Sequence, residues 1–138
     1  MKKLKSLIVE AKTENLQQVQ EFVTAELESH DCSPKAQMQI EIAVEEIFVN
    51  IASYAYNPET GNAEIRVEVL EDPLRVSITF LDNGVPFDPV SRADADISPE
   101  AIKSRIGGLG IHMVKKYMDD VTYSYENGQN ILTIKKNL

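Results

Sequence analysis

A chain of 138 residues is the size of one domain, so its function has to fit within a single compact core spanning residues 1–138. With 43% apolar and 26% charged residues, six glycines and six prolines, the composition is that of a globular protein and excludes a disordered or fibrous one. The formal net charge of −8 repels nucleic-acid phosphate and anionic lipid alike, and the one cysteine, Cys32, can neither close an internal disulfide nor hold a structural zinc by itself.

No nucleic-acid or membrane partner is therefore expected. No apolar run reaches the roughly 18 residues of a membrane span, and Met1 to Glu10 turns acidic before a signal-peptide core could develop, which predicts a cytoplasmic protein. Residues 4–10 read as a short apolar strand. Thr13 then caps a predicted helix whose stripe Leu16, Val19, Phe22, Val23 and Leu27 recurs at helical spacing. Ser33-Pro34 opens a second helix, with a capping hydroxyl and a proline in the first turn. The stripe Ile40, Val44, Ile47, Ile51 and Ala55 carries that helix towards Asn57-Pro58.

Residues 64–69 and 74–80 alternate polar and apolar around the turn Glu71-Asp72-Pro73, the pattern of a half-buried antiparallel hairpin. A stretch without periodicity, from about Asp88 to Ile106, separates it from a third helix. That helix begins near Gly108 and is predicted to bury Ile111, Val114 and Met118, with Lys115 and Lys116 in its last turn, where the helix dipole favours cations. Val121, Tyr123 and Tyr125 lead into Asn127-Gly128, a strong two-residue hairpin signal, and Ile131 to Lys135 return. The order β-α-α-β-β-loop-α-β-β predicts an α+β fold, a two-layer sandwich with three helices on one face of a mostly antiparallel mixed sheet.

Three clusters carry candidate chemistry. Glu46 and Asn50 stand four residues apart on the second helix, which places a carboxylate and a carboxamide side by side next to the apolar stripe; a solvated helix edge has the same spacing. Asp82-Asn83-Gly84-Val85-Pro86-Phe87-Asp88-Pro89 follows a strand and is built of turn formers. An aromatic ring held beside an acceptor carboxylate also suits a flat base with an exocyclic amine. Gly107-Gly108-Leu109-Gly110 opens the third helix, where glycines let backbone N–H groups close around an anion. The Lys-Ser/Thr of a P-loop and the later acidic residue of a dinucleotide fingerprint are both missing, so neither common phosphate fold applies.

In this order and spacing, the three clusters resemble the Bergerat ATP-binding fold shared by gyrase, Hsp90, MutL and histidine kinases. Within that superfamily the chain is similar to the small stand-alone serine/threonine kinases that act as bacterial anti-sigma factors. The resemblance implies ATP and Mg²⁺ as cofactors, with Asn50 supplying an amide oxygen to the metal and Glu46 acting as general base. It further implies that Asp82 accepts a hydrogen bond from the adenine amino group and that Gly84 lets the base approach the backbone. Gly108 and Gly110 would cradle the phosphates, and Thr133 would contact the adenine region. Phe87 belongs with the base, and Arg105 sits just before the glycines, where relatives place a γ-phosphate contact. A solvated lid arginine is the alternative for Arg105.

The implied substrate is a serine or threonine of a small antagonist protein, with a sigma factor as a second partner and a homodimer as the assembly. The rival from another class is a module that binds ATP and regulates a partner without transferring phosphate. Tyr54 departs from the histidine or polar residue of many relatives, and a packed tyrosine suffices there. His30-Asp31-Cys32-Ser33-Pro34 looks like a phosphoacceptor box, but only about three helical turns separate Pro34 from Glu46, too few for the separate helical hairpin that such a box occupies. His30 reads as a surface residue at a helix C-terminus, His112 as a histidine without a motif partner, and Glu45 as the solvated neighbour of Glu46.

Overall fold

The computed structural model describes residues 3–30, 32–56, 59–71, 73–86 and 108–138. Phe87, Arg105, Gly107 and the aperiodic stretch from Asp88 to Ile106 lie outside the described residues. The elements are β1 (Lys3–Glu10), α1 (Leu16–Glu28), α2 (Pro34–Asn50), β2 (Asn62–Leu70), β3 (Arg75–Asp82), α3 (Gly108–Tyr117), β4 (Asp120–Glu126) and β5 (Gln129–Asn137).

The five strands form one sheet in the order β1-β2-β3-β5-β4. Each of its pairings is antiparallel, which corrects the mixed sheet expected above. The reason is topological: β4 runs in the same direction as β3, and the closing hairpin inserts β5 between them, so the parallel neighbour never arises. Asn127 and Gly128, with φ of 53° and 78°, make the tight turn of that hairpin, as the dipeptide predicts.

Alternation along the strands separates two faces. Ile65, Val67 and Val69 of β2, Val76, Ile78 and Phe80 of β3, and Leu132 and Ile134 of β5 all point into one core. Val19, Val23 and Leu27 of α1, Ile40, Val44, Ile47 and Phe48 of α2, and Val114 of α3 close it from the helical side, followed by Met118 just past the helix end. The predicted stripes of α1 and α2 are therefore packed faces, and Val114 and Met118 join them as predicted; the side chain of Ile111 lies outside the described residues. The helices also tie to each other and to the sheet through polar groups. Gln20 donates to the Glu41 carbonyl at 2.8 Å, and the Lys5 ammonium meets the buried Glu26 carboxylate at 2.7 Å.

Helix boundaries follow the caps in one case and depart from them in the other. Ser33 Oγ accepts the Ala36 N–H at 3.2 Å and Pro34 takes the first turn, as expected. Thr13 caps nothing. Thr13–Asn15 forms a 3₁₀ turn, α1 begins at Leu16, and Asn15 Nδ2 reaches back to the Glu10 carbonyl at 2.9 Å. The short link from β1 is thus fastened by a side chain turned towards the strand it leaves. Past Asn50 the second helix continues as a π-helical turn, Ile51–Ala55, capped by Tyr56; Asn57-Pro58, where the sequence predicts the stop, lies outside the described residues.

Candidate functional site

The C-terminal end of α2 and the segment leaving β3 converge. A helix end leaves carbonyls without intrahelical partners, and the π-helical turn presents that of Ala55 to the Val85 N–H, which donates at 2.9 Å. The two backbones meet at Gly84. A Cβ there would lie 2.1 Å from the Ala55 carbonyl oxygen and 2.6 Å from its side chain. The close approach that Gly84 permits is therefore that of the helix end, where the sequence reading placed a nucleotide base.

Tyr56 adds a second fastening. Its hydroxyl donates to the Asn62 carbonyl at 2.6 Å and accepts the Asn83 N–H at 2.8 Å, which joins the start of β2 to the segment after β3. Burial raises the phenol above its usual range, the Asn83 N–H opposes that shift, and nearby Asp82 adds to it.

Asp82, only 5% exposed, ends β3 on the core-facing side of the sheet, across from Asn130 in register. Its Oδ1 accepts the Gly84 N–H and the Asn130 Nδ2, both at 2.9 Å. Both bonds land on one oxygen, and Oδ2 keeps its acceptor capacity among the described residues. Burial raises this carboxyl above the ordinary range, and the bonds from Asn130 and Gly84 work against that shift by favouring the ionised form.

On α2, Asn50 is 6% exposed and its Nδ2 donates to the Glu46 carbonyl one turn back, at 2.9 Å. That bond assigns the amide: the nitrogen is committed to the helix and the oxygen faces away from it. Glu46 is half-buried and Glu45 exposed, as the four-residue spacing anticipates. Burial lifts the Glu46 carboxyl above the usual range, with the charge of Glu45 adding to it. A carboxylate with raised proton affinity, one turn from an oriented amide oxygen, is suited to taking a proton from a hydroxyl.

Gly108 and Gly110 do open a helix, and α3 packs against α2. Thr133 does not join the others. It alternates with the core residues Leu132 and Ile134, so its side chain lies on the opposite face of the sheet from Asp82, where its hydroxyl pairs with that of Thr79 at 3.1 Å. The β5 residue at the site is instead Asn130. Sequence reasoning missed it, although Asn130 shares the parity of Leu132 and Ile134 and so had to point inward. Tyr56 was missed too, since a tyrosine beyond a helix end carries no motif.

Residues 9–136 match the histidine kinase-like ATPase domain model. The chain belongs to the histidine kinase-like ATPase family. Membership implies the use of ATP. The chain is 36% identical over 102 residues to the serine-protein kinase RsbW of Listeria monocytogenes, covering 70% of this chain and 63% of that protein. The serine/threonine-protein kinase BtrW of Bordetella bronchiseptica is 24% identical over 102 residues, covering 74% and 71%. The matched region thus spans less than two thirds of the RsbW protein. Among solved structures, a chain of the SiaB–SiaC complex from Pseudomonas aeruginosa superposes with a TM-score of 0.57 at 16% identity, over 96% of this chain and 89% of that one. The histidine kinase AdeS of Acinetobacter baumannii does so with 0.51 at 14%, over 98% and 68%. These two share the fold.

Proposed function

We propose that the protein is an Mg-ATP-dependent serine/threonine kinase of the anti-sigma type, which transfers the γ-phosphate to a hydroxyl of a small antagonist protein. The observation that carries this reading is the bonding of the α2 end to the segment after Asp82. It ties the turn that continues the helix carrying Glu46 and Asn50 to the segment that follows Asp82, and these are the three side chains to which the reading gives roles. The names of the RsbW and BtrW relatives agree with a kinase.

In the proposed site Asp82 Oδ2 accepts the adenine amino hydrogen, which selects adenine over guanine, whose corresponding edge carries an oxygen. The reading assigns Gly108 and Gly110, through their backbone N–H groups, to the phosphates, and keeps for Phe87 and Arg105, which lie outside the described residues, the roles that the family resemblance implies. Among the described residues no group of three His, Cys, Asp or Glu side chains could hold a metal ion. The fit is to a cation held by Asn50 Oδ1 and otherwise by phosphate oxygens and water, the mode Mg²⁺ favours. When bound, Mg²⁺ neutralises charge on the β- and γ-phosphates.

Glu46 takes the proton of the attacking hydroxyl as its oxygen bonds to the γ-phosphorus; the bond to the β-phosphate oxygen breaks and ADP departs. The antagonist is the substrate, a sigma factor is the second partner, and the working form is a cytoplasmic homodimer. No helix among the described residues is long and apolar enough to cross a membrane.

The test is transfer of label from γ-labelled ATP, with Mg²⁺, to a small protein in a lysate of the source organism. Label on serine or threonine with the wild type, and none with Glu46→Gln, supports the kinase. Equal labelling by Glu46→Gln refutes the assigned base, and no labelling by a wild type that binds ATP favours a module that binds without transfer.

A further inference from the structure

The nitrogen of the Asn130 amide does three things at once. It donates to Asp82 Oδ1 at 2.9 Å and to the Val85 carbonyl at 2.8 Å, with the Gly84 carbonyl near at 3.4 Å. Its oxygen accepts the hydroxyl of Tyr123, which faces it from the neighbouring strand β4. An Asn amide can flip, exchanging oxygen for nitrogen at almost no steric cost. Flipped, Asn130 would set its oxygen against a carboxylate and two carbonyls. Those three acceptors cannot donate and so oppose the flip, while the Tyr123 hydroxyl, donating to the oxygen, holds the other end of the amide.

We infer that Asn130, held in one orientation by the Gly84 and Val85 carbonyls and steadied by the Tyr123 hydroxyl, is the positioning residue that turns Asp82 so that Oδ2 reads the 6-amino group of a purine. This rests on the proposed role of Asp82 and adds a residue pair to it. Asn130 touches the carboxylate and the two carbonyls beside it, so it sets the carboxylate's direction and the position of the 84–85 backbone together. Without it the carboxylate keeps, among the described residues, only the Gly84 N–H as a partner and can rotate about χ2, which swings its free oxygen out of line. Selectivity, more than total affinity, is then what Asn130 supplies.

The experiment is calorimetric titration of the full chain with ADP and with purine riboside diphosphate, which lacks the 6-amino group, in the presence of Mg²⁺. The wild type prefers ADP by roughly 10- to 100-fold, the worth of one hydrogen bond to a buried carboxylate. Asn130→Ala brings the ratio to within about threefold of unity. Tyr123→Phe keeps the ring and lowers the ratio by a smaller factor, and it answers the question if Asn130→Ala does not fold. Val121→Ala thins the packing of the same hairpin without touching the amide; it lowers stability and leaves the ratio at the wild-type value.

A wild type with no preference overturns the role of Asp82 and the inference with it. A wild type that discriminates, beside a folded Asn130→Ala or Tyr123→Phe that discriminates equally well, overturns the inference and leaves Asp82 standing.

Discussion

Gly84→Ala tests whether the junction between the α2 end and the segment after β3 is as tight as the geometry requires. Gly84 does not have a left-handed backbone, since Gly128 alone among the described glycines has positive φ, so alanine's own conformational preferences are no obstacle. The obstacle is space. The new methyl would stand 2.1 Å from the Ala55 oxygen and 2.5 Å from its carbonyl carbon, both backbone atoms that no rotamer change can remove. Relief requires the two segments to part by about 1 Å or more. That movement sacrifices the Val85-to-Ala55 bond and loosens the Gly84 N–H on the Asp82 carboxylate. A neutral hydrogen bond contributes about 1 kcal/mol and one to a charged group about 1.5–3, so the cost is roughly 2.5–4 kcal/mol. At this chain length that lowers Tm by roughly 10 °C.

Thermal unfolding followed by circular dichroism measures it, with Gly128→Ala as the comparison. Nothing lies within 4 Å of a Cβ on Gly128, and its cost of about 1–2 kcal/mol comes from the left-handed backbone alone. A Gly84→Ala protein that melts within a few degrees of wild type, or above Gly128→Ala, would refute the reasoning.

Other perturbations separate stability from function. Asp82 has a raised folded-state pKa, so the stability its proton confers is complete below the unfolded value and is lost as pH rises through the folded one. Asp82→Asn should therefore gain stability relative to wild type as pH climbs from about 4 towards neutrality, while losing adenine preference; denaturant melts across that range check the sign. Glu46→Gln should cost roughly 10²–10⁴ in phosphoryl transfer and leave nucleotide affinity nearly unchanged, read by single-turnover transfer beside calorimetry. Asn50→Ala should abolish the gain in ATP affinity that Mg²⁺ gives the wild type, seen by titrating with Mg²⁺ and then with a chelator. Lys5→Ala strands the buried Glu26 carboxylate and should cost about 1–3 kcal/mol in urea melts, whereas Glu26→Ala leaves a lysine that can turn to solvent and should cost less.

What could be read from the sequence was whatever one segment decides for itself. Ser33-Pro34, the Ile40-to-Ile47 stripe, the alternation of β2 and β3 and the Asn127-Gly128 turn each depend on neighbours within a few residues, and each stands in the structure as expected. The errors came where a second segment had the deciding vote. Thr13 is a good cap by type, but Asn15 reaching back to β1 sets the path of the chain. Thr133 has a fitting residue type, yet pairing with Thr79 turns it to the outer face, and the inward position passes to Asn130. Glu46, Asn50 and Asp82 could be named as candidates because each motif lies within a single element. Gly84, Tyr56 and Tyr123 take their roles from partners 27 or more residues away, or across a strand pair, and no local pattern announces such partners.

The most direct test of the central claim is a crystal structure of the protein with Mg²⁺ and a non-hydrolysable ATP analogue. The account predicts the adenine amino nitrogen within about 3.2 Å of Asp82 Oδ2 and the metal about 2.1 Å from Asn50 Oδ1, with the γ-phosphate on the Glu46 side of the helix. A nucleotide bound with its base away from Asp82, or a metal that does not touch Asn50, would contradict it.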